Sequence, residues 1–350
     1  MSTPVGLAVS GLGWIGRKHA ELIRTHRDCR LLGLCDVDSS RRPVAEQLDV
    51  PFYQNIEELL VSERPEAVII ATPNQTHAEI MELCARQSVH VLIEKPIADT
   101  SAAAQRIRNV ADDTGIKVLV GHHRRHSPLI QETRAIVNSG VLGKLVGVSM
   151  IWALLKPADY FEVDWRCKRP GGGPNFINLI HELDTLRFIC GEICRVCALS
   201  GSAVRQLDVE DSLSIILSFD CGALGSVFAS DTTASPWSYE ATTGENPHYF
   251  HANENCYRFF GTSGSLAFPR MELWQYVRAS HTGWQHPMEM SRREVIRTDP
   301  LKRQLEHFCR VIRHEEESII DAREGARSLA VALAVLESSQ RQVSVEIPVA

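Results

Sequence analysis

Apolar residues fall along the first third of the chain in short continuous runs, separated by stretches of helical periodicity. Val5–Ser10 is the first run; Gly11-Leu12-Gly13-Trp14-Ile15-Gly16 follows it and opens a helical stretch from Trp14 to about His26. Leu31–Cys35 is the second run and ends in Asp36. Ala67–Ala71 is the third, followed by Thr72-Pro73 and a helical pattern from Thr76 to Arg86. Val89–Ile93 is the fourth and ends in Glu94-Lys95-Pro96. Asp99 or Thr100 can cap the next helix, which reaches about Asp113, and Lys117–Val120 closes the series at Gly121. Continuous apolar runs are how strands buried on both faces read, and helices between them make the sheet parallel. The pattern predicts a doubly wound α/β domain over residues 1–122.

Beyond Gly121 the pattern changes. A helix over Pro128–Ser139 leads into a strand near Lys144–Ala153. A Gly/Pro-rich turn, Arg169–Pro174, opens a helix over Asn175–Ile189. Strand-like runs then follow without intervening helices: Val196–Leu199, Leu213–Phe219, Leu224–Ala229, Tyr257–Phe260 and Leu273–Val277. Residues 231–255 have little periodicity and read as a long loop. Two helices, Leu301–Arg313 and Ala322–Ser338, and a short strand, Val343–Ile347, end the chain. Residues 123–350 are thus expected to form an α+β domain with a mainly antiparallel sheet.

Composition narrows the class without changing this picture. The 350 residues are 44% hydrophobic and 23% charged, an ordinary globular balance that excludes a disordered chain or a rod. A net charge of −6 speaks against nucleic acid as a partner. Neither a signal peptide nor an apolar run of membrane-spanning length is read, so the expected location is the cytoplasm, with the ten cysteines reduced. Arginine outnumbers lysine 30 to 7, which gives added weight to any lysine at a telling position. The triad His122-His123-x-x-His126 contains two arginines that would repel a cation, and Cys190, Cys194 and Cys197 lack a fourth ligand; no metal site is expected.

The chemistry begins at the glycine loop. Gly11 permits a tight turn, Gly13 lets a pyrophosphate approach the backbone, and Gly16 lets helix and strand pack closely. With Trp14 and Ile15 they place a helix N-terminus against an anion. Asp36, 20 residues past Gly16, is positioned to accept both ribose hydroxyls of an adenosine and to repel a 2′-phosphate, an effect to which Asp38 adds. NAD is therefore favoured over NADP, although Arg41 and Arg42 offer the contrary signal. Ligands of open parallel sheets bind at the carboxyl ends of the strands, which brings Thr72, Asn74, His77, Glu94 and Lys95 beside the dinucleotide.

In this order, Gly11-x-Gly13-x-x-Gly16, Asp36, Ala71-Thr72-Pro73-Asn74, Glu94-Lys95-Pro96 and the Gly-rich turn before His181 resemble the Gfo/Idh/MocA oxidoreductases over essentially the whole chain. Gly121-His122-His123-Arg124-Arg125-His126 looks like that family's hinge after the fifth strand. The resemblance implies an N-terminal Rossmann domain and a C-terminal domain with a large open sheet, holding substrate on one face and forming homodimer or homotetramer contacts on the other. It also implies that Lys95 touches both the nicotinamide and the reacting substrate oxygen. The family motif has an aspartate four residues before its histidine; here that position is Ile177, with Asn178 beside it.

The residues support the same chemistry. Hydride leaves a carbon that bears a hydroxyl, so a base must take the hydroxyl proton, and histidine suits that work near neutral pH. His181 is the expected base and Lys95 the cation that stabilises the developing alkoxide. Asp184, three residues after His181, shares its helix face and is expected to orient the ring or meet substrate. Asn178, Arg166, Trp165 and Tyr160 are further candidates for substrate binding; Arg166 could meet a pyrophosphate, a substrate hydroxyl or, bidentately, a carboxylate. The reading is an NAD(P)-dependent dehydrogenase of a sugar, inositol or related cyclic polyol. Its alternatives are a dehydrogenase of a cis-dihydrodiol aromatic acid and a non-catalytic dinucleotide sensor.

Overall fold

The computed structural model describes residues 3–348 apart from 170, 277 and 279. Pro170 of the Gly/Pro-rich turn and Val277, the expected end of a strand, lie outside the described residues. Two units are distinct: residues up to 123 together with 300–329, and residues 124–299 together with those from 330 onward.

In the first unit the chain runs β1 (Val5–Ser10), α1 (Trp14–Thr25), β2 (Cys29–Cys35), α2 (Arg42–Leu48), β3 (Phe52–Tyr53), α3 (Ile56–Glu63), β4 (Ala67–Ile70), α4 (His77–Arg86), β5 (His90–Ile93), α5 (Ser101–Thr114) and β6 (Val118–Val120). The strands form one parallel sheet in the order β3-β2-β1-β4-β5-β6, the doubly wound arrangement. Every residue of β1, β4 and β6 is buried, as covering on both faces requires. α1 buries Gly16, His19, Ala20 and Ile23, a stripe at helical spacing. Of the two cap candidates before α5, Thr100 does the work: its hydroxyl accepts the Ala103 N–H at 3.2 Å. The two-residue β3 is too short to leave a periodic signature, which is why the pattern shows five strands rather than six.

The second unit continues with α6 (Pro128–Asn138) and β7 (Leu145–Ala153). A π-helical turn at Asn175–Leu179 runs into α7 (Ile180–Cys190). Then come β8 (Ile193–Gly201), β9 (Ser212–Phe219), β10 (Leu224–Ser230), α8 (Tyr239–Thr243), β11 (Tyr257–Gly261), β12 (Gly264–Phe268), β13 (Glu272–Gln275) and β14 (Glu289–Arg292). The last elements are α9 (Pro300–Ile312), α10 (Ala322–Arg341) and β15 (Val345–Glu346). Nine strands make one sheet, β14-β13-β12-β11-β7-β10-β9-β8-β15, antiparallel except where β7 meets β10. Its strands alternate buried with exposed positions. The exposed positions hold Leu199, Ile216, Leu224, Phe228, Phe260 and Trp274, so the open side is partly apolar. The expected loop at 231–255 contains the short helix α8.

One boundary differs from the sequence reading of 123–350 as a single second domain. Residues 300–329 belong with the first unit. α9 buries Leu305, Phe308, Cys309 and Ile312 on one face. The backbone then adds to the β6 edge, where Val120 N–H donates to Ile320 O at 3.0 Å. Arg313 ties the segment to the start of the fold, donating to Thr3 O at 3.0 Å and Asp28 O at 3.1 Å. An amphipathic pattern marks a helix but not the surface it covers, so this return of the chain has no sequence signature.

Candidate active site

The glycine loop of the first unit follows β1. Gly11 has φ +93°, and a Cβ there would lie 2.6 Å from the Ala71 carbonyl carbon and Thr72 nitrogen, so only glycine lets β1 turn against the loop after β4. A Cβ on Gly16 would overlap the Gly11 carbonyl oxygen. Gly13 is different: nothing lies within 4 Å of where its Cβ would be, and as the N-cap of α1 it offers no side-chain oxygen to the first-turn amides. Open space beside uncapped N–H groups fits a dinucleotide pyrophosphate. Trp14 is exposed and Ile15 half-buried at this edge.

Asp36 stands at the end of β2 and joins the loop to it. Its Oδ2 accepts Leu12 N–H at 2.6 Å and its Oδ1 accepts Asp38 N–H at 2.9 Å. Each carboxylate oxygen retains a second lone pair, so the ribose hydroxyls can still be accepted. The two arginines that could favour a 2′-phosphate have local partners. Arg41 Nε is 3.4 Å from Asp38 Oδ2, and the Arg42 guanidinium lies 4.8 Å from the centre of the Phe52 ring. Bonding to Ser40 is the main cause that holds the Asp38 carboxyl below its ordinary value, which keeps a negative charge at this corner. Asp36→Asn, which keeps an acceptor for Leu12 and removes the charge, is expected to weaken NAD binding about tenfold and NADP binding much less. Fluorescence titration with NADH and NADPH checks this; an unchanged ratio of the two affinities rejects it.

The strand ends beyond β4 and β5 carry the remaining expected cofactor residues. Thr72 and Asn74 are half-buried, and Thr72 Oγ1 accepts the Thr76 hydroxyl at 2.7 Å. Two expectations change. His77 is fully enclosed, with Nε2 2.9 Å from Thr72 O and Nδ1 3.2 Å from Ile97 O. Burial lowers its pKa against the pull of those carbonyls, and it braces the two strand-end loops. Glu94 points into the domain, where Oε1 meets His19 Nε2 on α1 at 2.8 Å. Burial raises its pKa, but the His19 hydrogen bond and the charges of His19, Lys95 and His123 outweigh that and leave it below the ordinary carboxyl value. Its Oε2 also accepts the backbone N–H of Lys95 at 3.2 Å. Glu94 therefore fixes the peptide that carries Lys95, which is half-buried at the carboxyl end of β5.

The second unit holds the other half of the expected chemistry. Asn175 begins the π turn, anchored by Glu210 Oε1 on its N–H at 3.1 Å and by its own Nδ2 donating to Ala332 O at 3.0 Å. The wider turn carries Ile177 and Asn178 and delivers the chain to His181 in the first turn of α7. His181 is buried among apolar helix neighbours with 8% of its surface exposed. Asp184 has a partner that its spacing did not show. It is 1% exposed, and Arg125 grips its carboxylate by two bonds, Nε to Oδ2 at 3.0 Å and Nη2 to Oδ1 at 2.7 Å. It braces α7 from within the second unit through Arg125. Its neighbour Arg124 pairs with Glu182 and Glu240, each at 2.6 Å, and stacks on Tyr239. The paired arginines thus build the interior of the second unit.

Arg166 is also turned to its own loop. Its Nη1 donates to Tyr160 O at 2.9 Å and its guanidinium stacks 4.1 Å from the Tyr160 ring centre, beside the exposed Trp165. Asn178 has a partner that the sequence reading missed: Lys156 Nζ donates to its Oδ1 at 2.8 Å. The signal that could have found Lys156 was the scarcity of lysine in an arginine-rich chain.

Comparison with known proteins gives the context of these two sites. The model described as "Oxidoreductase family, NAD-binding Rossmann fold" matches residues 5–122, and the GFO/IDH/MocA C-terminal domain matches residues 130–267. An inositol 2-dehydrogenase of Rhizobium meliloti is 25% identical, over 97% of this chain and 99% of that one. A 2,7-anhydro-N-acetylneuraminate hydratase of Mediterraneibacter gnavus is 26% identical over 61% of this chain, and the match spans only 58% of that relative's length. An oxidoreductase from Agrobacterium radiobacter, solved in complex with NAD+, L-tartaric acid and magnesium, shares the fold with a TM-score of 0.83 over 98% of each chain at 19% identity. The glycine loop, the Glu94-Lys95-Pro96 strand end and the helix of His181 are therefore parts of a chain that belongs to the Gfo/Idh/MocA family of NAD-binding oxidoreductases.

Proposed function

We propose that this protein is an NAD-dependent dehydrogenase that oxidises a secondary alcohol of a sugar, inositol or related cyclic polyol. The observation that carries the reading is Lys95 at the carboxyl end of β5, its peptide fixed by the buried Glu94–His19 bond. A residue so placed stands where ligands of open parallel sheets bind. Gly11, Gly13, Gly16 and the first turn of α1 bind the pyrophosphate, and Asp36 accepts the ribose. When bound, NAD supplies the acceptor for the hydride. His181 takes the hydroxyl proton, and the Lys95 ammonium stabilises the negative charge left on the oxygen. Glu94 and the Arg125–Asp184 pair hold the elements that carry these two groups.

The test is an assay of NAD reduction across a panel of inositols, aldoses and sugar acids, with products weighed by mass spectrometry. Product mass is needed because one relative carries the name of a hydratase. Turnover that yields the ketone and NADH supports the reading. Tight NAD binding with no turnover across the panel replaces it with a dinucleotide sensor. The partly apolar open side of the nine-stranded sheet supports a homodimer or homotetramer formed there. Light scattering on the purified protein is expected to give two or four times the chain mass of 39.1 kDa.

A further inference from the structure

A charged cluster in the second unit joins Asn178, Arg166 and Tyr160 to three residues with no role so far, Lys156, Asp231 and Arg205. Lys156 lies just past the end of β7, in Leu154-Leu155-Lys156-Pro157, and exposes 8% of its surface. Its Nζ donates to Asn178 Oδ1 at 2.8 Å and lies 3.3 Å from Asp231 Oδ2. The ammonium sits 4.5 Å from the Tyr160 ring centre and 5.6 Å from that of Trp152. Asp231, 1% exposed, is also held by Arg205 Nε at 3.1 Å. Arg205 Nη2 donates to the carbonyl of Lys156 at 3.0 Å, and Arg166 stacks on Tyr160.

Two features point to a ligand. An ammonium has three donors, and Asn178 and Asp231 account for two of them. Two cations, Lys156 and Arg205, also share the Asp231 carboxylate, and Arg166 stacks on the Tyr160 ring that faces the Lys156 ammonium. Glu240 also acts on Lys156 and shares Arg124 with Glu182, each at 2.6 Å. A partly desolvated ammonium with a donor to spare, walled by aromatic rings, bonds an anionic oxygen more strongly than a neutral hydroxyl. Asn178 stands three residues before His181, so this corner and the expected base lie on one stretch of helix.

We propose that Lys156, set by Asn178 and Asp231, is a substrate-binding residue that selects substrates bearing a carboxylate, so that the preferred alcohols are hydroxy acids and acidic sugars rather than neutral polyols. The inference deepens the dehydrogenase reading and rests on it for the reaction, though not for the binding. Burial lowers the Lys156 pKa to about 8, against the pull of Asp231. A bound carboxylate would raise it again, which gives a readout independent of turnover.

The test labels the full-length protein with pulses of acetic anhydride across a pH series, with NAD present, and reads each of the seven lysines by mass spectrometry. The probes are L-tartrate, D-gluconate and D-glucuronate, with myo-inositol as the neutral comparison. At least one acid is expected to slow Lys156 labelling about fivefold or more and to raise its midpoint, while myo-inositol does neither. Lys156→Met is expected to bind that acid at least about tenfold more weakly by calorimetry, Lys156→Arg to restore most of the affinity, and both to bind NAD as before. If no acid slows the labelling, if Lys156→Met binds the acid equally well, or if myo-inositol protects better, the inference is wrong and Lys156 is an internal ion-pair partner of Asp231. Protection without turnover would reject the dehydrogenase reading and leave the binding site standing. Turnover with an unchanged KM for Lys156→Met would do the reverse.

Discussion

Lys95→Met is expected to lower kcat by about 10²–10³, the usual cost of removing one preorganised group that stabilises developing negative charge. The substitution keeps the length of the side chain and removes only the ammonium. Glu94 holds the peptide of residue 95 through backbone N–H, so the strand end should survive the change. NAD affinity is expected to stay within about threefold, because the proposed pyrophosphate and ribose partners are the glycine loop and Asp36. The measurement pairs steady-state kinetics on the best alcohol of the panel with NADH fluorescence titration. Full activity in the variant would remove Lys95 from the mechanism. A parallel loss of NAD binding would assign it to the cofactor instead. His19→Gln offers a separate comparison, since it disturbs the Glu94 brace without touching the ammonium.

The largest effect on stability is expected at the Arg125–Asp184 pair. Both groups are nearly inaccessible, at 3% and 1% exposure, and they meet through two parallel hydrogen bonds. Arg125→Met would leave the Asp184 carboxylate deep in the second unit without its main partner. Breaking such a pair from one side costs about 3–5 kcal/mol, whereas replacing both members with apolar groups of similar volume is often nearly neutral. The single variant should therefore lower the melting temperature strongly, and Arg125→Met with Asp184→Leu should recover most of the loss. Calorimetric scans of the three proteins decide. A single variant as stable as the parent would show that the pair contributes little, and a double variant no better than the single would show that Asp184 is needed for itself.

Much of the first domain is legible in the sequence. Its strands are continuous apolar runs because both sheet faces are covered, and its loop must be glycine at Gly11 because the chain turns there against Ala71. The second domain was harder. β12 and β14 were not read at all: β14 is exposed along its whole length, and β12 follows β11 after a turn of two residues that blurs the pair into one segment. Among the candidate residues, Asp36 and Lys95 stand at the strand ends where their spacing puts them. Glu94, His77 and Asp184 were named with them, yet each is engaged within its own domain by His19, by two backbone carbonyls and by Arg125. Their sequence distances from those partners run to 75 residues for His19–Glu94 and 59 for Arg125–Asp184, beyond the reach of any local pattern.

The sequence by itself determined the alternation of strand and helix, the glycine loop, the acid at the end of β2 and the Glu-Lys-Pro strand end, because each depends on neighbours within a few residues. Only the tertiary structure decided which side chains are free to meet a ligand. Residues 300–329 join the first unit, Asp184 turns to Arg125, and Lys156 comes to Asn178 and Asp231 through contacts distant along the chain. A polar side chain in a folded domain takes the nearest good partner in space, and spacing along the sequence does not record where that partner will be.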